Sequence, residues 1–342
     1  MRSSHVTIKD IARELGVSPS TISRALKDHP DISPETKKAV TDLAKKLNYQ
    51  PNILAQNLRK SKTNTIGIIV PEIAHFFFST VISGIEDIAY AAGYNVIIAQ
   101  SKESHEREVT DIQALFNSRV DGLLVSIARN TKKFDHFDDL IRKEFPLVFF
   151  DRVHNDALTS KVIVDDEQGA YEATTHLISL GHQRIAHLAG PQNLLIGINR
   201  LAGYKKALSE NNLSIDKNLV KICDKGTYEE AEEITKTLLA SHNPPDAIFA
   251  NNDVAAYGSM KAIKDKGLKI PTDVAIVGFS NWLFSELIEP ALSTVTQPGF
   301  KMGQEAAKLL IKQIELGKNE AFTPKTITLK TDLIIRESSK GK

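Results

Sequence analysis

The sequence predicts an α/β protein in which an N-terminal all-α helix-turn-helix domain precedes two doubly wound lobes with parallel sheets. Near the N-terminus, capping and turn residues mark three short helices. From Thr65 onward, short apolar runs alternate with helical segments, as in repeated βαβ units. The alternation forms two series of similar length within the 342 residues, which indicates two lobes.

Three helices are expected in the first domain, which we place at residues 1–50. Thr7 can cap the first helix, and Gly16 follows its last apolar residue, where a turn favours glycine. Ser18 with Pro19 begins the second helix, and Ser33-Pro34-Glu35 begins the third. Apolar residues at helical spacing on all three helices would then close a small core.

The polar face of the second helix is suited to nucleic acid. Ser20, Thr21 and Ser23 are small hydroxyl residues that fit a major groove, and Arg24 beside them could bind guanine through two hydrogen bonds. A generic three-helix domain with a polar face remains an alternative from this pattern alone.

Charge is distributed unevenly along the chain. The overall net charge is +1, but residues 1–62 carry 12 Lys/Arg against 6 Asp/Glu, so the remainder is acidic. A basic N-terminal region on an acidic body indicates that only this region meets a polyanion. A slightly basic, solvated domain would show the same charge.

The remaining composition indicates a cytoplasmic protein. Neither a signal peptide nor an apolar run long enough to span a membrane is recognisable. Cys223 is the single cysteine, which fits a reducing compartment, and its neighbours indicate a packed, inert thiol.

The body is expected to place a ligand cleft between its lobes, where the carboxyl ends of the strands face each other. The strands are expected at TIGIIV, YNVIIAQ, VDGLLVSI and PLVFFD, and then at VIVDD, RIAHLAG, DAIFAN and DVAIVGF. Near the C-terminus, TITLKTDLIIR is interpreted as a strand pair.

Two other function classes fit such a body. An enzyme is disfavoured because no phosphate-binding glycine loop and no nucleophile elbow is present, and GPQNLLIG is only a loose glycine pair. The ten histidines show no metal-ligand spacing, and His182 and His187 are interpreted as structural, so no metal or cofactor is expected. A secreted solute-binding protein would fit the body but not the basic N-terminal domain.

The segments TIKDIARELGVSPSTISRAL and LNYQPNILAQNLRKSKTNTIGIIVP closely resemble the LacI/GalR (lactose/galactose repressor) family of bacterial regulators. The resemblance implies a dimeric transcription regulator, a repressor that binds a palindromic operator and responds to a small carbohydrate-type effector. It also implies that the body is similar to periplasmic sugar-binding proteins, with three crossovers between the lobes.

We place those crossovers near 161–165, 290–294 and 321–325. The first lobe would then contain residues 63–162 and 293–322, and the second lobe residues 163–292 and 323–342. Residues 51–62 would be a hinge between the DNA-binding domain and the body.

By the resemblance, Pro19 and Ser20 lie where family members vary to select their operator. In the hinge, Leu58 matches the leucine that wedges between base steps of the minor groove, while Leu54 would contact the dimer mate. The alternative is that Leu54 and Leu58 pack against the body. The full set expected at DNA is Thr7, Ser18, Pro19, Ser20, Thr21, Ser23, Arg24, Asn52, Leu54, Ala55 and Leu58.

The expected effector residues combine strand ends with the family pattern. AHFFFS resembles the family's N-P-F-F-S stretch, and Arg200 matches its effector-binding arginine. Asp253 could either contact the ligand or cap the next helix. The expected set is Phe77, Phe78, Asp151, Arg152, Arg200, Asn252, Asp253, Ser280, Asn281 and Trp282.

One departure from the family bears on the ligand. Many members have an aspartate after IVGF, whereas Ser280-Asn281 stands there in this chain. Loss of that carboxylate predicts an acidic ligand, such as a sugar acid or phosphosugar, drawn to Arg152 and Arg200. A neutral sugar held by Ser280, Asn281 and Trp282 is the alternative. Whether the effector induces or co-represses is left open.

Overall fold

The computed structural model describes residues 6–49, 62–316 and 322–340. The chain divides into two compact units, residues 1–63 and 64–342. Within the described residues, no helix combines the length and the apolar character needed to cross a membrane.

Residues 6–49 of the first unit form three helices, as the sequence predicts. They are α1 (Ile8–Leu15), α2 (Pro19–Ala25) and α3 (Pro34–Lys46). Gly16 ends α1 in the left-handed conformation with φ of 63°, and the Ser18 hydroxyl accepts a hydrogen bond from the Thr21 amide at the start of α2. The shared core consists of Ile11, Ala12, Ile22, Ala25, Val40, Leu43 and Ala44.

The first lobe of the second unit is a six-stranded sheet with the order β11-β5-β4-β3-β1-β2. All of its strand pairs are parallel. Its strands are β1 (Thr65–Val70), β2 (Asn95–Gln100), β3 (Gly122–Val125), β4 (Leu147–Phe150), β5 (Ser160–Val164) and β11 (Thr326–Leu329). Its helices are α4 (Phe76–Ala91), α5 (His105–Asn117), α6 (Asp135–Arg142) and α11 (Gly299–Glu315).

The second lobe repeats this design with the order β12-β10-β9-β8-β6-β7. Its strands are β6 (Ile185–Ala189), β7 (Val220–Ile222), β8 (Ala247–Ala250), β9 (Ala275–Ser280), β10 (Ser293–Thr296) and β12 (Asp332–Ile334). Strand β12 runs antiparallel to β10. The helices are α7 (Asp166–Ser179), α8 (Leu195–Glu210), α9 (Tyr228–Leu239) and α10 (Asp253–Asp265).

The central strands of both sheets are buried on their two faces, which explains why these strands are continuous apolar runs. In the first lobe, Ile68 packs with α4 and α11, whereas its neighbour Ile69 packs with α5 and α6 on the opposite face. In the second lobe, α9 with α10 and α7 with α8 cover the two faces in the same way.

Two of the expected crossovers are wrong in position. Strand β10 pairs with β9 in the second lobe, so the chain returns to the first lobe only after Thr296. Strand β11 pairs with β5 in the first lobe, and the last crossover follows Leu329. Consequently TITLKTDLIIR is not a strand pair. Periodicity could not reveal this, because a four-residue run such as STVT carries no sign of which sheet it joins.

Candidate functional site

In the first unit, α2 presents the expected polar face. Pro19, Ser20 and Arg24 are exposed, while Thr21 and Ser23 are half-buried. The Ser18 hydroxyl lies 2.6 Å from that of Ser20, so both are engaged within the helix start.

Two further residues of this unit have local partners. The Thr7 amide and hydroxyl both donate to the Asp10 carboxylate at the start of α1. The Arg24 guanidinium lies 4.0 Å from the Asp31 carboxylate, a spacing that leaves it available at the surface. The expected contacts Asn52, Leu54, Ala55 and Leu58 lie outside the described residues.

In the second unit, a cleft opens at the carboxyl ends of the strands of both lobes. It encloses about 550 Å³ of empty space, part of it open to solvent. Seven of the ten expected effector residues line it: Phe77, Phe78, Asp151, Arg152, Arg200, Asn252 and Ser280. Asp151, Arg152 and Asn252 follow β4 and β8, and Ser280 is the last residue of β9. Phe77 and Phe78 lie in the first turn of α4, and Arg200 lies on α8.

The two expected arginines are held by carboxylates. Arg200 donates to Asp166 at 2.8 and 2.7 Å, and its guanidinium lies 3.7 Å from the centre of the Phe279 ring. Arg152 donates to both oxygens of Glu103 at 2.9 and 2.8 Å. The guanidinium groups are therefore fixed in orientation before any ligand binds.

Asp151 is a buried titratable group of the cleft. Burial raises the pKa of Asp151 to about 6, although Arg152 nearby favours the ionised form. Its backbone φ is 58°, in the left-handed region, which turns the chain sharply at the end of β4.

Asp253 does not line the cleft. Its buried carboxylate accepts hydrogen bonds from the Thr294 hydroxyl at 2.5 Å, the Trp282 amide at 2.6 Å and the Ser285 hydroxyl at 2.8 Å. The helix cap is instead Asn252, whose side-chain oxygen accepts from the Ala255 amide. Asp253 is thus a buried anchor for the segment after β9. The helix-cap alternative is wrong because Asn252 holds that position, whereas ligand contact by Asp253 stays a prediction.

Asn281 and Trp282 also lie outside the cleft lining. The Asn281 side chain accepts from Arg336, on the side of the C-terminal segment. The Trp282 indole lies across the lobe boundary from His75, with ring centroids 5.0 Å apart and Nε1 donating to Nδ1 over 3.4 Å. Burial lowers the pKa of His75 to about 4, so a neutral ring accepts this bond.

The lobes are joined at a second point that the sequence did not indicate. Arg129 donates to the Lys225 carbonyl at 2.9 Å, and the Asn193 side chain donates to the Arg129 carbonyl at 2.7 Å. The carboxylate of Glu230 accepts from the amides of residues 224–226 and thereby holds the loop that carries Lys225. Its neighbour Cys223 is buried, as expected, and burial raises the pKa of that thiol to about 12.

A signal for the missed residues was present in the sequence. Glu103, Arg129, Asp166 and Lys225 follow the carboxyl ends of β2, β3, β5 and β7, the same position that identified Asp151 after β4. Applying the strand-end rule to every strand would have predicted them.

Comparisons with known proteins agree with this architecture. Residues 7–52 match the model of the bacterial regulatory proteins of the LacI family, and residues 63–337 match periplasmic binding proteins and the sugar-binding domain of the LacI family. The chain is 35% identical to the ribose operon repressor of Halalkalibacterium halodurans, over 98% of this chain and 97% of that protein.

Two solved structures extend the likeness to the full length. The transcriptional regulator CelR in complex with cellobiose is 30% identical, with a TM-score of 0.74, over 97% of this chain and 99% of that one. The lac repressor dimer bound to operator and the anti-inducer ONPF is 26% identical, with a TM-score of 0.85, over 98% and 99%. This chain belongs to the LacI family of bacterial regulatory proteins.

Proposed function

We propose that this chain is a cytoplasmic, homodimeric transcriptional repressor without enzymatic activity, whose operator affinity is set by a neutral carbohydrate in the interlobe cleft. The observation that carries the proposal is one chain with both parts: a helix-turn-helix that presents Ser20 and Arg24, and a two-lobed body with a polar cleft. The ribose operon repressor and the lac repressor, which are similar over nearly their whole length, support the same combination.

Exposed apolar residues support the dimer. On the first lobe, Tyr90 is 80% exposed, and Ile97 and Ile98 on β2 are each about 40% exposed. On the second lobe, Leu283, Phe284 and Leu287 are all more than half exposed. Exposed large apolar side chains on both lobes are what a protein interface would cover. The lac repressor neighbour is a dimer on its operator, and a two-fold dimer requires a palindromic site.

The charge balance of the cleft favours a neutral ligand over the acidic one that Ser280 suggested. Four cationic side chains lie at the cleft, and four acidic side chains lie at it or directly behind it. They are Arg129, Arg152, Arg200 and Lys225, against Glu103, Asp151, Asp166 and Asp224. With Arg152 and Arg200 already held by carboxylates, an anionic ligand would gain little net charge attraction.

The remaining hydrogen-bonding capacity suits a polyol. Among the described residues, Arg152 Nε and Asn251 Oδ1 are buried and have no hydrogen-bond partner. One is a donor and the other an acceptor, and Phe77 and Phe78 supply an apolar wall. Hydroxyl groups can both donate and accept, and the apolar face of a sugar ring can lie on the aromatic wall.

The DNA-binding part is tested by selecting bound sequences from a random DNA pool with the purified chain. We expect a palindromic site, and we expect Arg24→Ala to cost about 1–3 kcal/mol on that site while binding to unrelated DNA changes little. Leu58→Ala should likewise weaken specific binding more than nonspecific binding. The absence of any enriched sequence would contradict the proposal.

The effector part is tested by calorimetric titration with neutral mono- and disaccharides, their acids and their phosphate esters. Binding of a neutral sugar that changes operator affinity is the expected result. Binding of acids or phosphate esters alone would overturn the neutral-ligand proposal but leave the repressor proposal intact. Chemical turnover of any ligand by the pure protein would contradict the non-enzymatic assignment.

A further inference from the structure

We infer that the first lobe contains a binding site for a divalent transition-metal ion of the zinc class, formed by His105, Glu108 and His136. One ligand atom from each residue lies within 4.8 Å of the others. The site is separate from the effector cleft, and its existence does not depend on the proposed function.

The three ligands come from two neighbouring helices. His105 and Glu108 lie three residues apart on α5, so they share one helix face, and His136 lies at the start of α6. His136 Nε2 is 2.9 Å from Glu108 Oε1, and the two imidazole rings meet edge to face with centroids 5.0 Å apart. Local residue spacing does not indicate this site, because His136 is 28 residues from Glu108.

The first observation that indicates a ligand is a buried ring nitrogen of His105, Nδ1, without a hydrogen-bond partner among the described residues. A buried ring nitrogen in this position costs free energy unless something satisfies it. A metal ion between His105 Nδ1 and the Glu108–His136 pair would do so with a small rearrangement, since the His136–Glu108 separation is already close to that of two ligands on one ion.

The second observation is that hydrogen bonds from neighbouring residues already orient the Glu108 carboxylate. Glu108 is fully buried, its Oε1 accepts from the Thr131 hydroxyl at 2.7 Å, and its Oε2 accepts from the Ala128 amide at 2.7 Å. Hydrogen bonds of this kind to a ligating carboxylate are the usual outer shell of a metal site. When His136 binds the ion through Nε2 instead of donating to Glu108, those two bonds still hold the carboxylate.

The donor set selects the class of ion. Two imidazoles and one carboxylate suit zinc and its neighbours, whereas calcium and magnesium prefer a shell of oxygens. Three protein ligands leave a further position for water, as in zinc sites with an open coordination position.

The test is a titration of the untagged full-length chain with Co²⁺, followed by its visible absorption, and then displacement by Zn²⁺. We expect one saturable Co²⁺ site with the spectrum of a four- or five-coordinate ion, lost when Zn²⁺ is added. His105→Ala and Glu108→Gln should each weaken Co²⁺ binding by more than about tenfold. His242→Ala, which removes an exposed histidine of the second lobe, is the matched control and should bind as the parent does.

Loss of Co²⁺ binding can be distinguished from loss of folding in each variant. Circular dichroism establishes whether each variant is folded, and Glu108→Gln keeps an oxygen for Thr131 if His105→Ala proves unstable. The proposal is overturned if the parent chain shows no saturable Co²⁺ spectrum, or if a folded His105→Ala variant binds Co²⁺ as tightly as the parent.

Discussion

Removal of the Asp253 carboxylate should destabilise the second lobe severely. The side chain is 1% exposed, and its two oxygens accept three short hydrogen bonds from Thr294, Trp282 and Ser285. Asp253→Ala leaves those three donors buried without an acceptor. Each hydrogen bond to a charged group is worth about 1.5–3 kcal/mol, but removing the buried carboxylate also removes the cost of burying it. We therefore expect the unfolding free energy to fall by about 3–5 kcal/mol.

An amide at this position should cost much less. In Asp253→Asn, the remaining carbonyl oxygen can face Trp282 and Ser285, while the amide nitrogen donates to the Thr294 hydroxyl oxygen. The charge is lost and the Thr294 hydrogen bond is reversed, but all three contacts remain, so we expect a decrease of about 1 kcal/mol. Asp265→Ala is the matched control, because Asp265 ends the same helix at the surface and pairs with Lys261, a contact worth at most about 0.5 kcal/mol.

Urea unfolding measures these differences through the fluorescence of Trp282, the single tryptophan of the chain. Its backbone amide is bound directly to Asp253, so the probe reports on the same segment. The expected order of stability is control, then the asparagine variant, then the alanine variant. An unfolding free energy for Asp253→Ala within about 0.5 kcal/mol of the parent would refute the anchoring role.

Three further predictions rest on other parts of the structure. Asp151→Asn should raise the unfolding free energy of the body by roughly 1–3 kcal/mol above pH 6 but not below pH 4. The reason is that the raised pKa of Asp151 makes the parent protein lose stability as the pH rises through that interval, whereas an amide does not titrate. A difference in unfolding free energy that stays constant across pH would contradict this prediction. Gly203→Ala should lower the unfolding free energy by about 1–3 kcal/mol, because its Cβ would lie 2.1 Å from the Glu167 carbonyl oxygen, while exposed Lys205→Ala should have no such effect in the same assay. Ser18→Ala should cost about 1 kcal/mol and Ser18→Gly only a few tenths, measured by hydrogen exchange of the α2 amides; equal protection in both variants would argue against the cap.

The elements that local chemistry determines were predictable from the sequence. Gly16, Ser18 and Ser33 mark helix ends because a left-handed turn and an uncapped amide each demand particular residue types, and all three lie where expected. The strands were predictable for a similar reason, since burial on both faces requires an unbroken apolar run.

Long-range pairing was not predictable in the same way. Strands β10 and β11 are four-residue segments whose sheet depends on which distant strand they meet, and both were assigned to the wrong lobe. The cleft was partly predictable: strand ends identified Asp151 and Arg152, but the direction in which a side chain points after a strand depends on its partners. Asp253 and Asn281 turn away from the cleft because Thr294 and Arg336 offer them hydrogen bonds elsewhere. The Trp282 indole instead donates to His75, which is itself part of the cleft lining.

The positions of α11 and β11 have a consequence for synthesis of the chain. The core of the first lobe includes Met302, Ala306 and Leu310 from α11, and Gly84 of α4 lies against the backbone of Phe300. These parts leave the ribosome only after the whole of α7 to β10 has been made. The first lobe therefore stays incomplete, with the side of α4 that packs on α11 uncovered, until residues 299–329 have been made, and chaperones can act on that apolar face throughout this interval.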